Sequence, residues 1–149
     1  MSLLAFAVVA AGCSKDDGEK TYEVPTESKT DTDYSGGKVV RTQVLKEGIA
    51  TAVITYSFDG ITYEGQDWKI YFTTSAKATA AGVAYQVYYA TKEPQVSYAD
   101  NIVTIHYPLN SGPGDEKLAA AGNLEAVKSI VEKTEFISEI LSIFNIGNK

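Results

Sequence analysis

Apolar and polar positions change rhythm three times along this chain. The first twelve residues are uncharged and almost wholly apolar, from Leu3-Leu4 to Ala11-Gly12. Residues 14–37 are polar, with no cluster of aliphatic side chains. From Lys38 a strand-like alternation takes over. Ala52, Ile54, Tyr56 and Phe58 alternate with Val53, Thr55 and Ser57, the period of two expected of a strand with one buried face. Asp59-Gly60 follows and Ile61-Thr62-Tyr63 resumes the pattern, so a tight hairpin is predicted there. Trp68, Ile70 and Phe72 alternate with Lys69, Tyr71 and Thr73, and Val83, Tyr85, Val87 and Tyr89 do the same against Ala84, Gln86 and Tyr88. Val96–Ala99, Asp100-Asn101 and Ile102–Tyr107 read as a second hairpin, and Val39–Leu45 as a further strand. Antiparallel strands joined in sequence order are the predicted architecture.

The texture changes after Pro108. Asn110-Ser111-Gly112-Pro113-Gly114 is a loop by composition, and Asp115 is the expected N-cap of a helix that follows it. Asn123 is placed to cap a second start. Ile137, Ile140, Leu141 and Phe144 recur at the spacing of one helical stripe, and Gly147 suits a C-terminal stop. A strand over Phe136–Phe144 also partly fits the alternation. The fold class expected is mainly β or α+β: one antiparallel meander, as a sheet or partly closed barrel, with C-terminal helices packed on it.

Charge refines the domain plan. Residues 14–37 carry seven acids against three lysines, a net of −4 out of −6 for the chain. Such a segment buries too little apolar surface to offset chain entropy, so 13–37 is expected to be a disordered acidic tether and 38–149 the folded domain. Nucleic acid is an improbable partner without a basic patch to neutralise phosphates. Cys13 is the only cysteine, so no intrachain disulfide can form.

Cys13 also follows the apolar segment directly. Ala10-Ala11-Gly12-Cys13 resembles the lipobox of bacterial lipoproteins, although Leu is more usual where Ala10 stands and no Lys or Arg precedes the apolar run. The resemblance implies a cleaved signal over 1–12 and diacylglycerol on Cys13, and the missing basic start points to a true start upstream. Ser14 at the second mature position resembles outer-membrane-directed lipoproteins, and Lys15-Asp16-Asp17 looks like the export signal of Bacteroidetes surface lipoproteins, which implies a lipid-anchored, cell-surface protein of the outer membrane. The competing reading of Cys13 is a free thiol in an apolar strand or helix. Twelve apolar residues fall short of the roughly 20 a spanning helix requires.

Signatures of catalysis are scarce. His106 is the only histidine, on the same strand face as Ile102 and Thr104, and reads as structural or solvent-facing. No Gly-x-Ser-x-Gly elbow, Walker sequence or Gly-x-Gly-x-x-Gly is present, so no cofactor is expected. Asp59, Glu64, Asp67 and Glu93 fall near predicted turns, and their convergence would support a glycoside hydrolase, the third-ranked reading.

Aromatic side chains offer a more direct lead. Ten tyrosines occur, and Trp68, Tyr71, Tyr85, Tyr88 and Tyr89 are the candidate ligand-binding set, since tyrosine stacks on sugar rings and lines pockets. Tyrosine also favours strands whatever the function. Tyr56-Ser57-Phe58-Asp59-Gly60, Ile70-Tyr71-Phe72-Thr73-Thr74 and Tyr98–Ile105 look like the meander of lipocalin-like bacterial lipoproteins, which implies a barrel or half-barrel around a pocket. The helical C-terminus and the missing Gly-x-Trp depart from that pattern. The function expected is non-catalytic binding of a glycan or small apolar ligand. The alternative is a structural or accessory subunit docking another outer-membrane protein.

Overall fold

The computed structural model describes residues 20–147, so the signal segment and Cys13 lie outside the described residues. Six strands form one open antiparallel sheet: β1 (Lys29–Asp33), β2 (Lys38–Lys46), β3 (Ala50–Asp59), β4 (Thr62–Phe72), β5 (Gln95–Ala99) and β6 (Ile102–Tyr107), in the spatial order β1-β2-β3-β4-β6-β5. A helix, α1 (Ser75–Tyr88), links β4 to β5, and α2 (Asp115–Ala119), α3 (Leu124–Val131) and α4 (Thr134–Gly147) follow β6. The fold is α+β, and the sheet does not close into the barrel that a lipocalin-like meander would require.

Period-two alternation is the reason β3 and β4 sit at the centre. Ala52, Ile54, Tyr56, Trp68, Ile70 and Phe72 all point to the helix-covered face and are fully buried. Each buried large side chain of this kind contributes roughly 1.5–3 kcal/mol by leaving water. The β3–β4 turn places Gly60 at positive φ between the paired residues Asp59 and Thr62. Asp100 takes the same conformation between Ala99 and Ile102, and Asn101 ties that turn to β4 by donating from its side chain to the Phe72 carbonyl at 3.0 Å.

Two elements differ from the expectations. Residues 83–89 belong to a helix and its C-terminal cap, not to a strand. Thr74 caps the start by accepting from the Lys77 amide, and Ala76, Ala78, Ala80, Ala81 and Ala84 supply strong helix formers. The alternation also satisfies a helix: Tyr85 and Tyr89 lie four apart on the buried face, and Val83 and Val87 four apart on the exposed one.

The second difference concerns the expected tether, which contributes β1 and the segment before it. The Tyr22 amide donates to the Thr73 carbonyl at 2.8 Å, Thr51 Oγ1 donates to the Pro25 carbonyl at 2.6 Å, and the Val44 amide donates to Ser28 Oγ at 3.0 Å. Thr51 faces away from the helices yet is 1% exposed, because this strap lies over it. A polar edge strand needs few apolar residues, since its ladder hydrogen bonds are made with β2. The ordered domain therefore begins before Lys38.

At the C-terminus, Asn123 caps α3 as expected, accepting from the Ala126 amide at 2.8 Å. Gly114, not Asp115, occupies the cap of α2. α4 is a helix whose buried face is Phe136, Ile140, Phe144 and Gly147.

Candidate functional site

Helices cover one face of the sheet, which makes the opposite face the first place to look for recognition. Strand register lays its side chains out in rows. One row runs Gln95, His106, Asp67, Thr55, Val40, Asp31, and the next Ser97, Thr104, Lys69, Val53, Thr42, Lys29. A third, Ala99, Ile102, Tyr71, Thr51, Val44, ends beneath the strap. This face is mixed, with hydroxyls and charges beside half-buried valines, Ile102 and Tyr71. His106 Nδ1 contacts Asp67 Oδ1 across the β4–β6 ladder, with both side chains 54% exposed. The histidine is solvent-facing, on the face shared with Ile102 and Thr104.

The aromatic candidates separate into a core cluster and two reachable rings. Trp68 is fully buried and donates its Nε1 hydrogen to Gln66 Oε1 at 2.7 Å. Tyr85 is fully buried and its hydroxyl donates to the Ile143 carbonyl at 3.1 Å. Tyr89 stacks on Tyr85, and its hydroxyl bonds that of Tyr107 at 2.8 Å. Tyr107 in turn packs against Trp68 at 5.7 Å between ring centroids. Burial pushes the phenols of Tyr85, Tyr89 and Tyr107 above the ordinary tyrosine value. Trp68 and Tyr89 thus meet at Tyr107, with Tyr85 stacked behind Tyr89, as packing between α1, β4 and β6. Tyr88 remains exposed at the edge of this cluster, under the Lys92 ammonium at 4.5 Å. Tyr71 lies on the other face of the sheet, so these two rings form no common platform.

A polar knot in the first half of β4, joined to this cluster through Gln66, was not anticipated. Asp115 is 3% exposed. Its Oδ1 accepts from the Tyr63 hydroxyl and from Gln66 Nε2, each at 2.6 Å, and its Oδ2 accepts from the Gly112 amide at 2.9 Å. Gln66 also donates to the Pro113 carbonyl at 3.0 Å. Every acceptor oxygen of this buried carboxylate is engaged, which is what its burial requires. Burial and the bond to Asp115 hold the Tyr63 phenol above its usual value. The knot fixes the loop after β6 onto β4. No local sequence signal marks it, because its members lie up to 52 residues apart.

Arg41, on the helix side of β2, is a second buried polar group. Its guanidinium donates twice to Gln43 Oε1, at 2.7 and 3.2 Å, and to Thr30 Oγ1 at 3.0 Å, with Glu132 at 3.9 Å. Desolvation holds it below the ordinary arginine value. These contacts splice β1 and β2 to the end of α3.

The carboxylates of the hydrolase reading are spread along the sheet. Asp67 pairs with Thr55, four residues along β3 from Asp59, a separation of about 14 Å at strand rise. That exceeds the reach of a glycosidase pair, at most about 9.5 Å. Glu64 is the extra residue of the bulge opposite Ser57 and Phe58, and Glu93 sits in the loop after α1. Among the described residues no group of three or more His, Cys, Asp or Glu side chains is placed to hold a metal ion, and no helix is long and apolar enough to cross a membrane. No protein family, curated protein or solved structure matches the chain.

Proposed function

We propose that this chain is a lipid-anchored protein of the bacterial outer membrane, held at the cell surface through Cys13, that binds a neighbouring envelope protein without catalysis. The observation that carries the reading is the sheet face opposite the helices, which no described element covers beyond the strap over Thr51. A six-stranded face mixing threonine hydroxyls, half-buried valines and the Asp67–His106 pair suits a macromolecular partner better than a small ligand. The other face is filled by Trp68, Tyr56, Phe72 and Phe136, which weighs against a lipid-like ligand held inside. Tyr71, half-exposed on the open face, keeps glycan binding as the second reading.

The test is the state of the protein released from membranes in mild detergent. It should run in an assembly larger than itself, and Thr55→Arg with Thr104→Arg should release it as a single chain with its melting temperature kept. A native protein that already runs alone overturns the reading. A polysaccharide that then raises the melting temperature would assign the face to glycan.

A further inference from the structure

The exposed side of α1 carries an apolar stripe beside the polar Lys77, Thr79 and Gln86. Val83 is 45% exposed, Val87 73% and Tyr88 41%, with exposed Ala80 one turn ahead of them. Lys77 is the only charged residue in the helix, and β5, against which α1 packs, has none. The sheet and α4 cover the inner side of α1, and no described element covers the Val83–Val87 stripe.

The course of the chain says what lies against it. The Tyr22 amide is bonded to the carbonyl of Thr73, the residue before the Thr74 cap of α1. Tyr22, nine residues after Cys13 in sequence, thus lies beside the first turn of α1. Nine residue steps separate Cys13 from Tyr22, about 30 Å at full extension, and α1 is itself about 21 Å long. Lys77 and Lys92 stand at the two ends of the apolar stripe, and Lys92 covers the Tyr88 ring. An apolar helix side flanked by lysines, with tyrosine at its margin, has the make-up of an interfacial element on anionic lipid.

We propose that the outer side of α1 rests on the phospholipid surface, with Ala80, Val83, Val87 and Tyr88 at the headgroup boundary and the open sheet face turned away from it. The inference rests on the acylation of Cys13 proposed above. The anchor confines the domain near the bilayer, so an apolar surface too small to bind by itself acts at high effective concentration. It also orients the recognition face toward the surroundings.

The test compares an environment-sensitive fluorophore on Val87→Cys with the same label on Ile61→Cys, at the exposed β3–β4 turn. Both proteins are reconstituted in vesicles of phosphatidylethanolamine and phosphatidylglycerol. The expected result is a blue shift at position 87 and its quenching by brominated acyl chains, with neither at position 61. Equal, water-like emission at both positions overturns the inference. So does a doubled mass in solution that Val87→Asp returns to a single chain, which would give the surface to a second copy. Intact mass tests the anchor separately. Should Cys13 prove unmodified, the same labels on the Cys13→Ser chain, attached through an N-terminal histidine tag to nickel-chelating lipid, decide the α1 surface alone.

Discussion

The hydroxyls of Tyr89 and Tyr107 lie 2.8 Å apart in the interior, each the other's hydrogen-bond partner. They join the C-terminal cap of α1 to the last residue of β6. Removing one hydroxyl leaves the other buried and unpaired, at a cost of about 1–3 kcal/mol, whereas removing both leaves only apolar contact. Tyr89→Phe and Tyr107→Phe should each destabilise, and the double variant should be clearly more stable than the sum of the two losses predicts. Urea unfolding of the four proteins measures the coupling.

Asp115 should be the least replaceable polar residue of the fold. Asp115→Ala leaves the Tyr63 hydroxyl hydrogen without its acceptor and takes one acceptor from Gln66 Nε2, which keeps the Pro113 carbonyl, and an orphaned buried group costs about 1–3 kcal/mol. Asp115→Asn keeps an acceptor oxygen and should recover part of the loss. Melting temperatures in the order wild type, Asn, Ala would bear this out, and equal melting for Ala and wild type would refute it.

Gly82 faces the ring of Tyr98, and a Cβ there would overlap Cδ1, Cγ and Cβ of that side chain. Those atoms sit close to the β5 backbone and cannot swing aside as a side-chain tip would. Gly to Ala in a helix ordinarily gains about 1 kcal/mol. Here overpacking, typically 1–3 kcal/mol, should reverse the sign. Denaturation of Gly82→Ala checks it.

Stability should fall steeply in alkali. Tyr56, Tyr85 and Tyr107 have folded-state values raised by burial above the ordinary phenol value of 10.0. In the unfolded chain these phenols ionise near pH 10, while in the folded protein they keep their protons. The unfolded state then binds fewer protons, so stability is intact below pH 10 and declines above it, by up to about 1.4 kcal/mol per phenol per pH unit. Tyrosine ionisation followed by ultraviolet absorbance should coincide with loss of circular dichroism. Ionisation of all ten tyrosines in a still-folded protein would contradict the burial.

The sheet was legible where one face is buried and the other is not. Ile54, Trp68 and Ile105 sit in one cross-strand row of the core, and each belongs to a run whose alternate residues are polar or half-exposed. α1 was hidden because alanines on both sides leave no stripe, while four-residue spacings of valine and tyrosine fit a strand equally well. β1 was hidden for the opposite reason, since an edge strand of Lys29, Thr30, Asp31, Thr32 and Asp33 looks like solvated tether. The aromatic set was recognisable by composition, but the sequence gives no sign that Tyr89 finds Tyr107 eighteen residues away, or that Trp68 turns inward to Gln66.

β1 has a further consequence. Its charged residues Lys29, Asp31 and Asp33 form the outer rim of the sheet, and behind them runs β2 with Val39, Val40, Val44 and Leu45. A protease that cut at the exposed Ser35-Gly36 turn and let β1 go would convert a guarded rim into a bare valine-rich template. The same cut parts the domain from Cys13, so the released copies would meet edge to edge away from the membrane. The polar strand that looked like slack rope works as a fender, and its loss would open the valine-rich edge to pairing with other copies.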